Sequence, residues 1–156
     1  MIFVTTGTCD PFDRLLQVVD GLETRERLVV QHGVSPVRPH GADCVAFLAY
    51  DALVAFVREA RVVVTHAGVG SVLTALANGK RPIVVPRLAA QGDAIDDHQL
   101  EFARKIGGLG LVTLLEDPGD LPRLLASASF FAPPRAIAPD RRLVSELRAY
   151  LADVAS

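Results

Sequence analysis

Residues 65–99 read THAGVGSVLTALANGKRPIVVPRLAAQGDAIDDHQ, and the fold follows from them. The run RVVVT at 61–65 leads in. Consecutive β-branched residues favour a strand, and an unbroken apolar run suits one buried on both faces. HAGVGS then makes a tight turn. From Val69 the apolar residues Val69, Val72, Leu73 and Leu76 recur at helical spacing to about Asn78, and Gly79 is a natural stop. PIVVP at 82–86 is the next strand, followed by a polar loop and a helix over about 96–106. Strand, helix, strand, helix with short joints means a parallel sheet covered by helices.

The same alternation extends to both sides. Strands are expected at 2–6, 27–31, 45–49 and 111–115. A helix opened by Asp10 or Pro11 places Phe12, Leu15, Leu16, Val19 and Leu22 on one face. Another, capped by Asp51, carries Leu53, Val54, Phe56 and Val57. The fold class is α/β, a Rossmann-like parallel sheet with helices on both faces, spanning 1–128. No internal repeat is visible. The Pro-rich stretch 129–139 reads as a linker, and 140–156 as an amphipathic helix suited to docking on a partner or back on its own domain.

Composition narrows the function. The chain has 156 residues, half of them apolar, which fits one domain with a full core. A net charge of −2 gives no basic field for nucleic acid. Cys9 and Cys44 match neither a zinc pattern nor a disulfide framework and suit a reducing cytoplasm. The start, MIFVTTGTCD, lacks the basic and apolar regions of a signal peptide, and no run is long enough to span a membrane.

The turn after Thr65 carries the chemistry. The first N–H groups of a helix have no internal partner, and the helix dipole favours negative charge there. With Gly68 and Gly70 admitting a close approach, a diphosphate is the natural guest. Ser71 can add a hydroxyl and His66 an imidazole N–H. Each piece also has a structural explanation: Ser71 can cap, and a lone histidine at a strand end can simply pack. A second polar cluster strengthens the joint reading. Asp96, Asp97, His98 and Gln99 open the next helix, and in a parallel sheet they fall beside the first loop. Their carboxylates and amide suit sugar hydroxyls, although acidic residues also favour any helix start.

Other nucleotide motifs fail. No GxxxxGK[ST] is present, since Gly79 and Lys80 precede Arg81. Leu73 stands where a GxGxxG motif needs its third glycine, and Gln31 and His32 end the second strand where a dinucleotide site needs an acid. Asp93, Asp96, Asp97 and His98 match no metal-ligand spacing, so no metal is expected.

At HAGVGS, GKRPIVVP and DDHQ, and at the opening FVTTGTCDPFDRLLQVVD, the chain resembles the glycosyltransferase family 28 C-terminal domain. Within it, the similarity points to the small soluble subunits of split transferases in dolichol-linked and bacterial exopolysaccharide synthesis. The resemblance covers about residues 1–115. It implies one half of a GT-B fold that binds a UDP-sugar as substrate, without metal or other cofactor. It also implies a membrane-anchored acceptor-binding subunit that recruits this chain to the cytoplasmic face, a homodimer being the alternative arrangement. By the same resemblance, Gly7 and Thr8 join Gly68, Ser71, His66, Ala67, Val69 and Gly70 around the diphosphate, with His66 the catalytic candidate. Asp97, His98 and Gln99 face the sugar, and Phe47 and Leu48 lie near the uracil. The sequence departs from the family at Thr74, where many relatives carry a ribose-binding glutamate. A non-catalytic nucleotide-sugar-binding regulatory domain is the competing reading.

Overall fold

The computed structural model describes residues 1–127. Six short strands form one fully parallel sheet: β1 (Ile2–Thr5), β2 (Leu28–Gln31), β3 (Asp43–Val45), β4 (Val62–His66), β5 (Ile83–Val85) and β6 (Thr113–Leu114), in the order β3-β2-β1-β4-β5-β6. Five helices connect and flank them: α1 (Asp13–Asp20), α2 (Tyr50–Glu59), α3 (Val69–Ala77), α4 (His98–Gly108) and α5 (Leu121–Ala126). This is the doubly wound Rossmann-like arrangement expected from the sequence. The linker expected at 129–139 and the helix expected at 140–156 lie outside the described residues.

Alternation along the central strands sorts the core into layers. Ile2 and Val4 of β1, Val62 and Val64 of β4, and Ile83 and Val85 of β5 face Phe12, Leu15, Leu16 and Val19 near α1 and Leu121 of α5. Phe3, Val29 and Val63 point the other way, onto Val57 of α2 and Ala75 of α3. Val84 meets Val72 of α3 and Phe102, Ala103 and Ile106 of α4. Both faces are therefore covered, which explains why the strands lack a polar alternation.

Several boundaries differ from the expected ones. The third strand is Asp43–Val45 rather than 45–49. It is a half-exposed edge strand, and its apolar continuation turns away so that Leu48 packs beneath the sheet. The fourth strand runs one residue further, because His66 pairs in register with Val85. α1 begins at Asp13, with Phe12 as its N-cap, and α2 at Tyr50, so Asp51 lies inside it. In α3, Leu73 is exposed, and Thr74 and Ala75 share the buried face with Val72. α4 begins two residues late: Asp96 accepts from the His98 N–H (3.1 Å) and Asp97 from the Ala89 N–H (2.9 Å). Asp96 thus accepts from the first residue of the helix and Asp97, its N-cap, from the preceding loop, so both stand before the helix instead of joining it.

Candidate functional site

In this strand order the chain leaves β1 toward one edge of the sheet and β4 toward the other. The loops that follow these two neighbours diverge and leave a crevice at their carboxyl ends, where open α/β sheets bind ligands. His66 sits there as the last residue of β4. Its imidazole fills the space between the two diverging loops. A Cβ at Gly7 would lie 2.7 Å from His66 Cε1, and one at Gly68 would fall closer still to Nε2. Gly7 also has φ +79, a left-handed conformation that favours glycine. Both glycines are thus required by the ring. The space expected at Gly68 for a ligand is occupied by the histidine, whereas a Cβ at Gly70 would meet nothing.

Burial, reinforced by the nearby Arg87 charge, pushes the His66 pKa down to about 4, against a small opposing contribution from the Thr5 backbone. The ring is neutral at physiological pH, and its Nδ1 is buried without a hydrogen-bond partner. The unfolded chain takes up a proton near the ordinary value of 6.5 that the folded chain refuses until about 4. The stability contributed by the neutral ring is therefore complete above pH 6.5 and falls as pH drops toward 4. His66→Gln is expected to flatten that part of the profile. Urea midpoints at pH 7 and pH 4.5 for both proteins check it, and equal losses in the two would exclude His66 as the cause.

α3 starts with Gly68 as N-cap and has no side-chain cap. Its first backbone bond runs from the Val72 N–H to the Gly68 carbonyl, so the preceding N–H groups, at 69–71, face the crevice end of the helix. Ser71 lies within this first turn, which excludes it as the cap. Ala67 and Val69 send their side chains into the core, leaving only their backbone for the site. Thr8 is exposed on the loop after β1. Thr74, at the family's glutamate position, is consumed: its hydroxyl donates to the Gly70 carbonyl at 2.8 Å.

The second polar cluster borders the same edge. The Arg87 N–H, just beyond β5, donates to Gln99 Oε1 at 3.2 Å. Gln99 is therefore fixed in the first turn of α4. Asp97 and His98 are exposed, and His98 Nδ1 pairs with Asp96 at 2.8 Å, which raises the His98 pKa and lowers that of Asp96. Phe47 and Leu48 follow β3, two strands from β1. Phe47 is exposed and Leu48 packs inward.

Three residues that the sequence did not single out as site residues build the walls. Gln31 accepts a hydrogen bond from the Thr5 hydroxyl, and its amide reaches the carbonyls of Gly7 (3.4 Å) and Ala46 (3.5 Å). Asp93 receives Arg14 Nε (2.9 Å) and Nη2 (2.7 Å), tying the β5–α4 loop to α1. Arg87 lies buried beneath the β1–α1 loop and donates to the Thr6 and Asp10 carbonyls. Among the described residues no cluster of three or more histidine, cysteine or acidic side chains could hold a metal ion, and no helix is long and apolar enough to cross a membrane.

A six-stranded parallel sheet in this order, with a histidine at its topological switch point and an uncapped helix N-terminus beside it, places the domain in the Rossmann-like class of α/β folds. The particular family is shown by comparison. The glycosyltransferase family 28 C-terminal domain matches residues 1–129, and the chain belongs to that family. It is 32% identical over 122 residues to the UDP-N-acetylglucosamine transferase subunit ALG13 of Yarrowia lipolytica, covering 68% of this chain and 60% of that protein. Among solved structures, the calicheamicin glycosyltransferase CalG4 matches with a TM-score of 0.60 and 20% identity, over 99% of this chain and 44% of the other. The glycosyltransferase SnogD from Streptomyces nogalater matches with a TM-score of 0.56 and 22% identity, over 83% and 36%. The fold is thus that of one portion of GT-B glycosyltransferases, and the chain spans 60% of the ALG13 relative's length and less than half of each of the two structures.

Proposed function

We propose that this domain is the donor-binding part of a glycosyltransferase. It takes a UDP-sugar at the carboxyl edge of β1 and β4 and delivers the sugar to a lipid-linked acceptor held by a membrane-anchored partner, at the cytoplasmic face, in polysaccharide or glycolipid synthesis. The observation that carries this reading is the switch-point crevice, where a neutral buried histidine stands beside the uncapped start of α3 in a member of family 28. The ALG13 relative, named as a transferase subunit, supports the partner.

The chemistry follows from where charge develops. Breaking the bond between sugar and phosphate leaves negative charge on the departing UDP. The N–H groups at 69–71, the Ser71 hydroxyl and the helix dipole stabilise that charge in place, and His66 orients the phosphates. Gln99, with its oxygen held by Arg87, keeps its amide N–H₂ for a sugar hydroxyl, and Asp97 adds a carboxylate. Phe47 offers an exposed ring face to the base. No step calls for a metal.

Calorimetry with UDP, with and without EDTA, tests donor binding. Binding is expected to be unchanged by EDTA. Ser71→Ala and His66→Ala are each expected to weaken it about ten- to a hundredfold, the value of one hydrogen bond to a charged group. Wild-type affinity in both variants would remove these residues from the site. Transfer of radiolabelled sugar to a lipid extract, by the chain alone and with its partner, separates the split enzyme from a regulatory domain. Turnover restored by the partner supports the first. Tight UDP-sugar binding with no turnover in either case supports the second.

A further inference from the structure

Arg87 is the one fully charged side chain among the buried polar residues described, with only 3% of its surface exposed. Arg14, Arg27, Arg61 and Arg104 each face a carboxylate. Arg87 instead faces carbonyls. Its Nη2 donates to the Thr6 and Asp10 carbonyls, its guanidinium lies 5.0 Å from the Phe12 ring centroid, and its Nε is buried with no partner. Among the described residues no carboxylate comes within ion-pair distance. Desolvation lowers the Arg87 pKa despite the charges of Asp10 and Asp93 acting from beyond pairing distance, and a buried cation with no directly paired counter-ion is costly unless something else balances it. The carbonyls it holds belong to the loop on one side of the switch-point crevice. His66, whose Nδ1 is equally unpartnered, and the uncapped start of α3 form the other side.

We propose that Arg87 is a positioning residue that supplies the fixed positive charge of the donor site, with the diphosphate of the bound nucleotide as its counter-ion across the β1–α1 loop. The inference rests on the donor-binding reading and adds the group that separates phosphorylated from unphosphorylated nucleosides. Arg87 acts through its field and through the loop it supports, without touching the sugar. Its charge serves binding of the anion, and its two hydrogen bonds keep the Thr6–Asp10 carbonyls turned away from the incoming phosphates.

The test measures UDP and uridine affinities for the wild type, Arg87→Met, Arg87→Gln and Arg87→Lys. The two neutral variants are expected to lower the UDP-to-uridine affinity ratio at least tenfold while leaving uridine itself within about twofold. Arg87→Lys is expected to recover most of the ratio, because the charge remains although the two-carbonyl clamp is lost. A purely structural role would reduce both affinities together. Should Arg87→Met fail to fold, Arg87→Gln, which keeps an amide donor, decides the matter. An unchanged ratio in a folded neutral variant overturns the proposal and leaves the donor reading standing. A lysine variant as weak as the neutral ones overturns the assignment to charge. Failure of the wild type to bind UDP at all would instead sink the donor reading.

Discussion

Gly68→Ala is expected to destabilise the domain by about 3 kcal/mol, the upper end for overpacking a core, and His66→Ala in the same chain is expected to return most of that loss. The backbone at Gly68 has φ −71 and ψ 127, which alanine adopts without strain. The cost therefore comes from the new methyl group alone. That methyl would fall inside contact distance of His66 Nε2 and 2.9 Å from both Cδ2 and Cε1. The ring has little room to shift, because the Gly7 backbone also lies so close that even a Cβ there would come within 2.7 Å of Cε1. Truncating His66 removes the obstacle, so the two changes should be strongly non-additive. Urea denaturation of the single and double variants measures the coupling. Simple addition of the two losses would show that Gly68 is constrained by something other than the imidazole. UDP affinity separates structure from function: the double variant should regain stability and remain weak for the nucleotide.

The parts of this architecture that were legible from sequence are those in which one local cause decides. The buried strands announce themselves as apolar runs because both faces are covered. Gly79, with φ +71, ends α3 where the spacing placed the stop. The face of α1 that carries Leu15, Leu16 and Val19 is buried as its periodicity required. Illegible features depend on two distant segments at once. Arg87 follows a strand as an ordinary loop residue would, and nothing local shows that carbonyls from residues 6 and 10 converge on it. The start of α4 falls later than the sequence suggests because Asp96 and Asp97 can accept backbone N–H groups from just before a helix as readily as they can stand in its first turn. α5 leaves no clear local signal: it is a short helix with Pro122 in its first turn, and it is fixed by burying Leu121 in the core. At the site itself, His66 and the glycine turn were readable from spacing. That Gly68 serves the histidine ring was not, because the ring's second neighbour is Gly7, on another loop.

Phe12→Ala is expected to cost about 3–5 kcal/mol, the range for deleting a fully buried aromatic ring, the largest effect of any change considered for this domain. Phe12 is completely buried in the core cluster beneath β1, β4 and β5. It is also the N-cap of α1. Its N–H donates to the Ser35 hydroxyl at 2.6 Å, and its carbonyl receives the Leu16 N–H at 3.2 Å. Those backbone bonds survive the substitution, so the loss should measure the ring. Two guanidiniums lie near that ring, Arg87 at 5.0 Å and Arg14 at 5.5 Å from its centroid. Arg14 in turn holds Asp93 in the β5–α4 loop. The ring therefore joins the apolar core to both cations that brace the crevice. Phe12→Leu separates these two functions. Leucine keeps most of the apolar volume and should cost only about 1.5 kcal/mol. It has no negative π face, so Arg87 loses a contact that contributes roughly 0.5–2 kcal/mol. UDP affinity should then fall more than the small stability loss suggests, while uridine affinity changes little. If Phe12→Leu binds UDP as tightly as the wild type, the ring is packing alone, and Arg87 is positioned by the Thr6 and Asp10 carbonyls without it.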